Sequence, residues 1–192
     1  MIKGKKVSII FPAYNEEKNI AQAIDDFKKL RFIDEIIVVD NNSQDNTKKI
    51  SLKKHVVVVT EKKQGYGYAL RKGLSVATGD YIFLCEPDGT FRSVDAKKLL
   101  KYADNYDVVI GTRTNKKFIN KSANMHGLLR WGNIILAKLI QFLYRPSCTL
   151  SDCGCTFRLL KKNVVKKILP QLTVGGSHFL SELLVLILKK NY

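Results

Sequence analysis

Along the first 112 residues, short apolar runs alternate with segments of helical period. KVSIIF (6–11), EIIVVD (35–40), HVVVVT (55–60), YIFLC (81–85) and DVVIGT (107–112) are β-branched and predict strands. Between them, Ile20, Ala23, Ile24, Phe27 and Leu30 follow the i, i+3, i+4, i+7, i+10 pattern of one apolar helical stripe, and Ala69, Leu70, Gly73, Leu74 and Ala77 make a second stripe after GYG. Ser93 is a candidate cap for a helix through VDAKKLLKYA, and Gly79-Asp80 turns the chain into the fourth strand. Nearly continuous apolar strands separated by helices predict an α/β fold whose parallel sheet is covered on both faces.

After residue 112 the pattern changes. A basic loop, RTNKKFINKS, precedes a long helix predicted over 123–144, where Leu128, Leu129, Ile135, Leu136, Leu139, Ile140 and Leu143 make a broad apolar face. That face is expected mainly to pack in the core, with contact to a lipid surface as the competing use. SDCGCTFRLLKK follows, then a helix near NVVKKIL and a last helix from about Phe179 to Lys189. No repeat, low-complexity stretch or linker divides the chain, so residues 1–192 are expected to form one domain.

Sheets of this kind bind ligands beyond the carboxyl ends of their strands. The unusual polar residues gather there: PAYNEE after the first strand, DNNSQD after the second, EKKQGYG after the third and EPDGT after the fourth. In extended chain, Glu86 and Asp88 point to one side, roughly 6–7 Å apart at Cα, and Pro87 keeps Glu86 out of helical conformation. Two carboxylates so placed repel unless a cation sits between them or one stays protonated, and Mg²⁺ or Mn²⁺ would answer the first need while leaving positions open for phosphates. The competing reading is an ordinary turn, because PDG is good turn sequence. Asp40 is placed to accept hydrogen bonds from a base edge or ribose, or else to cap a helix. QGYG allows close backbone approach and opens a helix whose amino end favours anions, with Arg71 within reach of a diphosphate. The glycines match neither a P-loop nor the dinucleotide fingerprint.

Charge sharpens the question. Lys and Arg number 33 against 17 Asp and Glu, a formal net charge of +16, so an acidic pair at a strand end stands out and anionic partners are expected. The opening MIKGKKVSIIFPAYNEE is too short in apolar residues for a secretory signal. The longest apolar runs fall below the about 20 residues of a membrane span. Cys85, Cys148, Cys153 and Cys155 read as reduced thiols of a cytosolic protein, without zinc-site spacing.

The blocks VSIIFPAYNEEKNI, DEIIVVDNNSQDNT, QGYGYALRKGLSVATGDYIFLCEPDGTF and DVVIGTR, taken in order, resemble the family-2 glycosyltransferases. RWGN and SDCGCTFRLLKK extend the likeness toward the dolichyl- and polyprenyl-phosphate mannose or glucose synthases. The resemblance implies a GT-A fold: Rossmann-like, three-layered, with a mostly parallel central sheet, as in nucleotide-diphospho-sugar transferases. Residues 1–112 would be its nucleotide-sugar half and 113–192 its acceptor half. It implies that Pro12, Tyr14, Glu16 and Asp40 hold the nucleoside of a GDP- or UDP-linked sugar, with Gln64 and Arg71 nearby. Glu86 and Asp88 stand at the family's D-x-D metal motif, with Glu in the first place, and Thr90 leans toward the same metal. Arg113 and Arg130 match arginines of the acceptor phosphate, and Asp152 and Arg158 match the D-x5-R pattern that closes the site, with Arg158 expected on the acceptor as well. Relatives of this kind usually continue beyond the helix carrying Glu182, so the chain is expected to be shorter at its C-terminus than they are.

The activity so implied is inverting, metal-dependent transfer of a hexose to polyprenyl phosphate at the cytoplasmic face of an anionic membrane, with no nucleic acid involved. A phosphate acceptor is already anionic and needs positive charge, whereas a saccharide hydroxyl acceptor would need a base, for which Asp152 is the candidate. A nucleotide- or nucleic-acid-binding module without transferase activity is the alternative from another class, disfavoured because no basic-aromatic stacking platform is evident.

Overall fold

The structure, a computed structural model, describes the backbone of residues 4–112, 127–144 and 149–192, and their side chains except at 127–130. Six strands form one sheet: β1 (Val7–Ala13), β2 (Glu35–Asp40), β3 (Val57–Thr60), β4 (Tyr81–Leu84), β5 (Val108–Ile110) and β6 (Arg158–Lys161). Their order is β3-β2-β1-β4-β6-β5. The first four are parallel, and β6 runs antiparallel between β4 and β5. All five predicted strands are present, and β6 is a sixth that the periodicity does not predict.

Alternation along β1 explains the three layers. Val7, Ile9 and Phe11 face one core, shared with α1 (Ile20–Lys28), α2 (Thr47–Lys53) and α4 (Ser93–Leu100) through Ile20, Ile24, Phe27, Ile50 and Ala96. Phe27 meets Phe11 edge to face, with ring centroids 5.4 Å apart. Ile10 points the other way, joining Ile37, Val39, Ile82, Leu84 and Leu160 beneath α3 (Tyr66–Val76), α6 (Lys162–Ile168) and α7 (Phe179–Lys189). Each fully buried Ile, Leu or Phe contributes about 1.5–3 kcal/mol, so the two-sided sheet is the main source of stability.

Two local expectations are corrected. Ser93 is the first residue of α4 rather than its cap: Arg92 holds the extended conformation before the helix, and no side chain bonds the cap. The helix predicted over 123–144 is seen as α5 (Gly127–Tyr144), and it is not mainly a core helix. Ala137 and Ile140 seat it against Leu150, Cys153 and Leu184, while Trp131 (63% exposed), Ile135, Leu139 and Phe142 (72%) face outward. Among the described residues no helix is long and apolar enough to cross a membrane.

The segment 173–176 docks on the amino end of α3. The backbone N–H groups of Gly67 and Tyr68 donate to the Gly175 carbonyl at 2.8 and 3.2 Å. Glu182 of α7 holds the segment from behind, accepting from the Thr173 N–H and hydroxyl (2.9 and 2.7 Å) and the Val174 N–H (3.0 Å). Partial burial raises the Glu182 pKa, but these donors and the nearby Arg71 outweigh it, and the carboxyl lies below the ordinary 4.5.

Two measurements check this docking. A Cβ at Gly67 would lie 2.5 Å from the Val174 carbonyl oxygen and 2.9 Å from the Gly175 carbonyl carbon, so Gly67→Ala must displace backbone. It is expected to cost about 1–3 kcal/mol, each kcal/mol lowering Tm by about 2–4 °C in calorimetry. Because the Glu182 pKa is depressed on folding, its stabilisation is full above the ordinary 4.5 and disappears as pH falls through the folded value. Glu182→Gln should therefore melt lower than wild type at pH 7, with the gap closing in acid.

Candidate active site

The strand order reverses between β1 and β4, and their carboxyl ends part there. Leu84 pairs with Ile10, so Glu86, two residues on, comes level with Pro12. Ala13 pairs with Asp40 and Asp40 with Thr60, which brings the ends of β2 and β3 to the same height. The result is a hollow of about 290 Å³ lined from all four loops: Pro12, Tyr14 and Glu16, then Asn41, then Gln64 and Tyr66, then Glu86 and Asp88.

Backbone and side chains stitch the rim. The Asn15 N–H donates to the Ser43 hydroxyl (3.1 Å), the Glu16 N–H to Thr47 Oγ1 (2.7 Å) and the Glu17 N–H to Asp45 Oδ2 (3.0 Å). In return, the Gln44 N–H donates to Asn15 Oδ1 (2.9 Å). Asp45 also accepts from the Thr47 N–H and hydroxyl; burial is the largest single influence and raises its pKa, but these bonds and that from Glu17 together prevail and it lies below 3.8. Asn15 and Asn42 take the left-handed conformation (φ 55° and 64°) that asparagine tolerates better than most residues.

Asn41, which the sequence reading did not single out, ties the third loop down. Its amide donates to the Glu61 and Lys63 carbonyls (3.0 and 2.8 Å), and its Oδ1 accepts the Gly65 N–H (2.8 Å). Asp40, expected in the nucleoside contact, is 3% exposed, accepts from the Ser43 N–H at 3.3 Å and is not among the lining residues.

The acidic pair sits at the wall. Asp88 is exposed, and Thr90 donates to both its oxygens, from backbone (2.9 Å) and hydroxyl (2.8 Å). Glu86 Oε1 accepts from the Thr156 hydroxyl at 2.8 Å, and the Tyr66 hydroxyl lies 2.6 Å from Thr156 Oγ1. Burial and the Glu86 charge push the Tyr66 pKa well above 10, so the phenol keeps its proton. Glu16 has its pKa raised first by burial and then by the charges of Asp88 and Glu86, although Asn19 bonds it at 2.8 Å. In a chain of +16, the hollow is thus a local concentration of negative charge.

That concentration fits a divalent cation. Among the described residues no three His, Cys, Asp or Glu converge as a protein-only cage. Mg²⁺ and Mn²⁺ held by one or two carboxylates and completed by substrate phosphates do not need one.

Three other expectations change. At the α3 amino end the Gly67 and Tyr68 N–H groups are given to the Gly175 carbonyl and not left for an anion. Arg71 does not line the hollow; its Nη1 donates to the Thr173 carbonyl at 3.4 Å. Arg158 is fully buried and does not meet an acceptor: Nε donates to the Cys155 carbonyl, Nη1 to Leu180 and Nη2 to Cys153, at 2.8, 2.9 and 2.7 Å. Asp152 is 4% exposed, and its Oδ1 accepts the Gly154 N–H at 3.0 Å. Arg113 and the side chain of Arg130 lie outside the described residues.

Residues 8–169 match the family described as Glycosyl transferase family 2. The chain belongs to that family. Relatives include an uncharacterized protein of Methanocaldococcus jannaschii, 31% identical over 82% of this chain and 72% of its own. Glycosyltransferase AglJ of Haloferax volcanii is 31% identical over 72% of this chain, and human dolichyl-phosphate beta-glucosyltransferase 27% identical over 94%. The chain spans 45% of AglJ and 62% of the human enzyme. Among solved structures, glucosyl-3-phosphoglycerate synthase of Mycobacterium tuberculosis, in complex with Mn²⁺, UDP and glucosyl-3-phosphoglycerate, superposes with a TM-score of 0.75. That likeness covers 98% of this chain and 67% of the synthase, at 17% identity. The fold expected from the sequence blocks, GT-A, is borne out, as is the enzyme class, glycosyltransferase.

Asn41→Asp would turn two donors that face carbonyls into acceptors with almost no change of size. It is expected to lower Tm by several degrees and weaken nucleotide-sugar binding by about tenfold, as one buried unpaired group costs about 1–3 kcal/mol. Differential scanning fluorimetry and calorimetric titration check the two effects.

Proposed function

We propose that this family-2 member is an inverting transferase that moves a hexose from a nucleotide-diphospho-sugar to a polyprenyl phosphate with Mg²⁺ or Mn²⁺. The observation that carries the reading is the meeting of Glu86, Asp88 and Glu16 at a hollow built from four strand ends in a strongly basic chain. A nucleotide-sugar donor is supported by the family and by the Mn²⁺ and UDP of the M. tuberculosis synthase. The lipid-phosphate acceptor is supported by the human relative's name.

In this reading Pro12, Tyr14 and Gln64 border the nucleoside, and Asp88, oriented by Thr90, holds the cation with Glu86. A divalent cation there supplies positive charge against the leaving diphosphate, the kind of electrostatic help that is often the largest catalytic contribution. The acceptor phosphate is its own nucleophile, and Arg113 and Arg130 give it counter-charge. A hydroxyl acceptor would need a base, and the near-sealed Asp152 is poorly placed for that task.

The outward face of α5, with Trp131, Ile135, Leu139 and Phe142, supports peripheral contact with the cytoplasmic face of an anionic membrane. Each Lys or Arg near such a surface adds about 1 kcal/mol of attraction.

Calorimetric titration with GDP- and UDP-sugars, with and without Mn²⁺, tests the donor half. Asp88→Ala should lose Mn²⁺-dependent binding, and unchanged binding would reduce the acidic pair to a turn. Arg113→Ala should keep donor binding while transfer to polyprenyl phosphate falls by about tenfold or more, the scale of one lost charge-assisted bond.

A further inference from the structure

Thr156, which neither the sequence blocks nor the hollow's lining singled out, joins three distant parts of the chain. It is 1% exposed and stands in the loop before β6. Its hydroxyl donates to Glu86, 70 residues earlier, and pairs with Tyr66, 90 residues earlier, at the start of α3. The proton positions follow from chemistry. An ionised carboxylate only accepts, and a threonine hydroxyl has one hydrogen. That hydrogen belongs to the 2.8 Å bond to Glu86 Oε1, so in the 2.6 Å contact the Tyr66 phenol must be the donor. The chain of bonds runs one way, Tyr66 to Thr156 to Glu86, and ends on the acid at the wall of the hollow.

We propose that Thr156, backed by Tyr66, is a positioning residue that fixes the Glu86 carboxylate for a divalent cation. This rests on the reading of the hollow as a cation and diphosphate site. Engaging Oε1 restrains the glutamate at the wall of the hollow that it shares with Asp88. It also accounts for glutamate at 86: an aspartate, one methylene shorter, would leave the buried Thr156 hydroxyl without its acceptor. The arrangement links the two halves of the fold, because the β6 side then sets the affinity of the donor side.

The test is Mn²⁺ binding, read by the electron paramagnetic resonance of the free ion, alone and with UDP or GDP added. Thr156→Val keeps the shape and removes the hydroxyl. It is expected to weaken Mn²⁺ binding by about tenfold, the lower end for loss of an outer-sphere partner, with Thr156→Ser restoring it. Tyr66→Phe should weaken it by a smaller factor, and all three variants should melt within a few degrees of wild type. If Thr156→Val fails to fold, Tyr66→Phe decides the matter. Wild-type affinity in a folded Thr156→Val or in Tyr66→Phe overturns the assignment, while Asp88→Ala still losing Mn²⁺ leaves the function standing. Absence of Mn²⁺ binding in wild type overturns both.

Discussion

The site exists because helices leave a parallel sheet on opposite faces. From β1 the chain goes out through α1 on one face, and into β4 it returns from α3 on the other. The loops after β1 and β4 therefore part, and a crevice opens between two strands hydrogen-bonded to each other along their length. Neither the acids after β4 nor the polar turn after β1 would face a common space if α1 and α3 lay on one side. The buried interdigitation on both faces fixes that geometry, and the small polar residues at the strand ends inherit it.

A crevice lined by loops must keep its shape without secondary structure to support it. Here each loop is held by its neighbour: the 14–17 segment by 43–47, the 61–65 segment by Asn41, the start of α3 by Gly175, and 173–174 by Glu182. Short polar side chains do this well because they lose little rotamer freedom and can accept and donate locally. The same holding consumes donors that an anion would otherwise use. That is why the α3 amino end and Arg71 serve the framework.

The legible part of the sequence was what periodicity reports. Strands buried on both faces read as unbroken apolar runs, and the stripe of α1 and the start and end of α7 were clear. β6 was not, since RLLK running into a further lysine has the look of a helix start and becomes a strand only through pairing with β4 and β5. The clustering of Pro12, Tyr14, Glu16, Gln64, Glu86 and Asp88 was legible because strand ends converge by rule. Asn41 and Thr156 were not, because their partners lie 20 or more residues away and nothing local in the sequence marks such a bond. Asp40 and Arg158 are charged residues of the kind that mark a site, yet burial, which spacing does not report, turned both inward.

Arg158 shows what that inward turn accomplishes. A fully buried guanidinium is costly, and burial lowers its pKa from the usual arginine value. It stays charged, because three carbonyls, from Cys153, Cys155 and Leu180, take its planar donors. Those carbonyls belong to the turn after Asp152 and to α7, so one side chain clamps the turn to the helix. Thr156 follows Cys155 directly. A charge buried behind the turn therefore sets the backbone from which Thr156 reaches Glu86, and a neutral side chain of similar volume would pack there without fixing that direction.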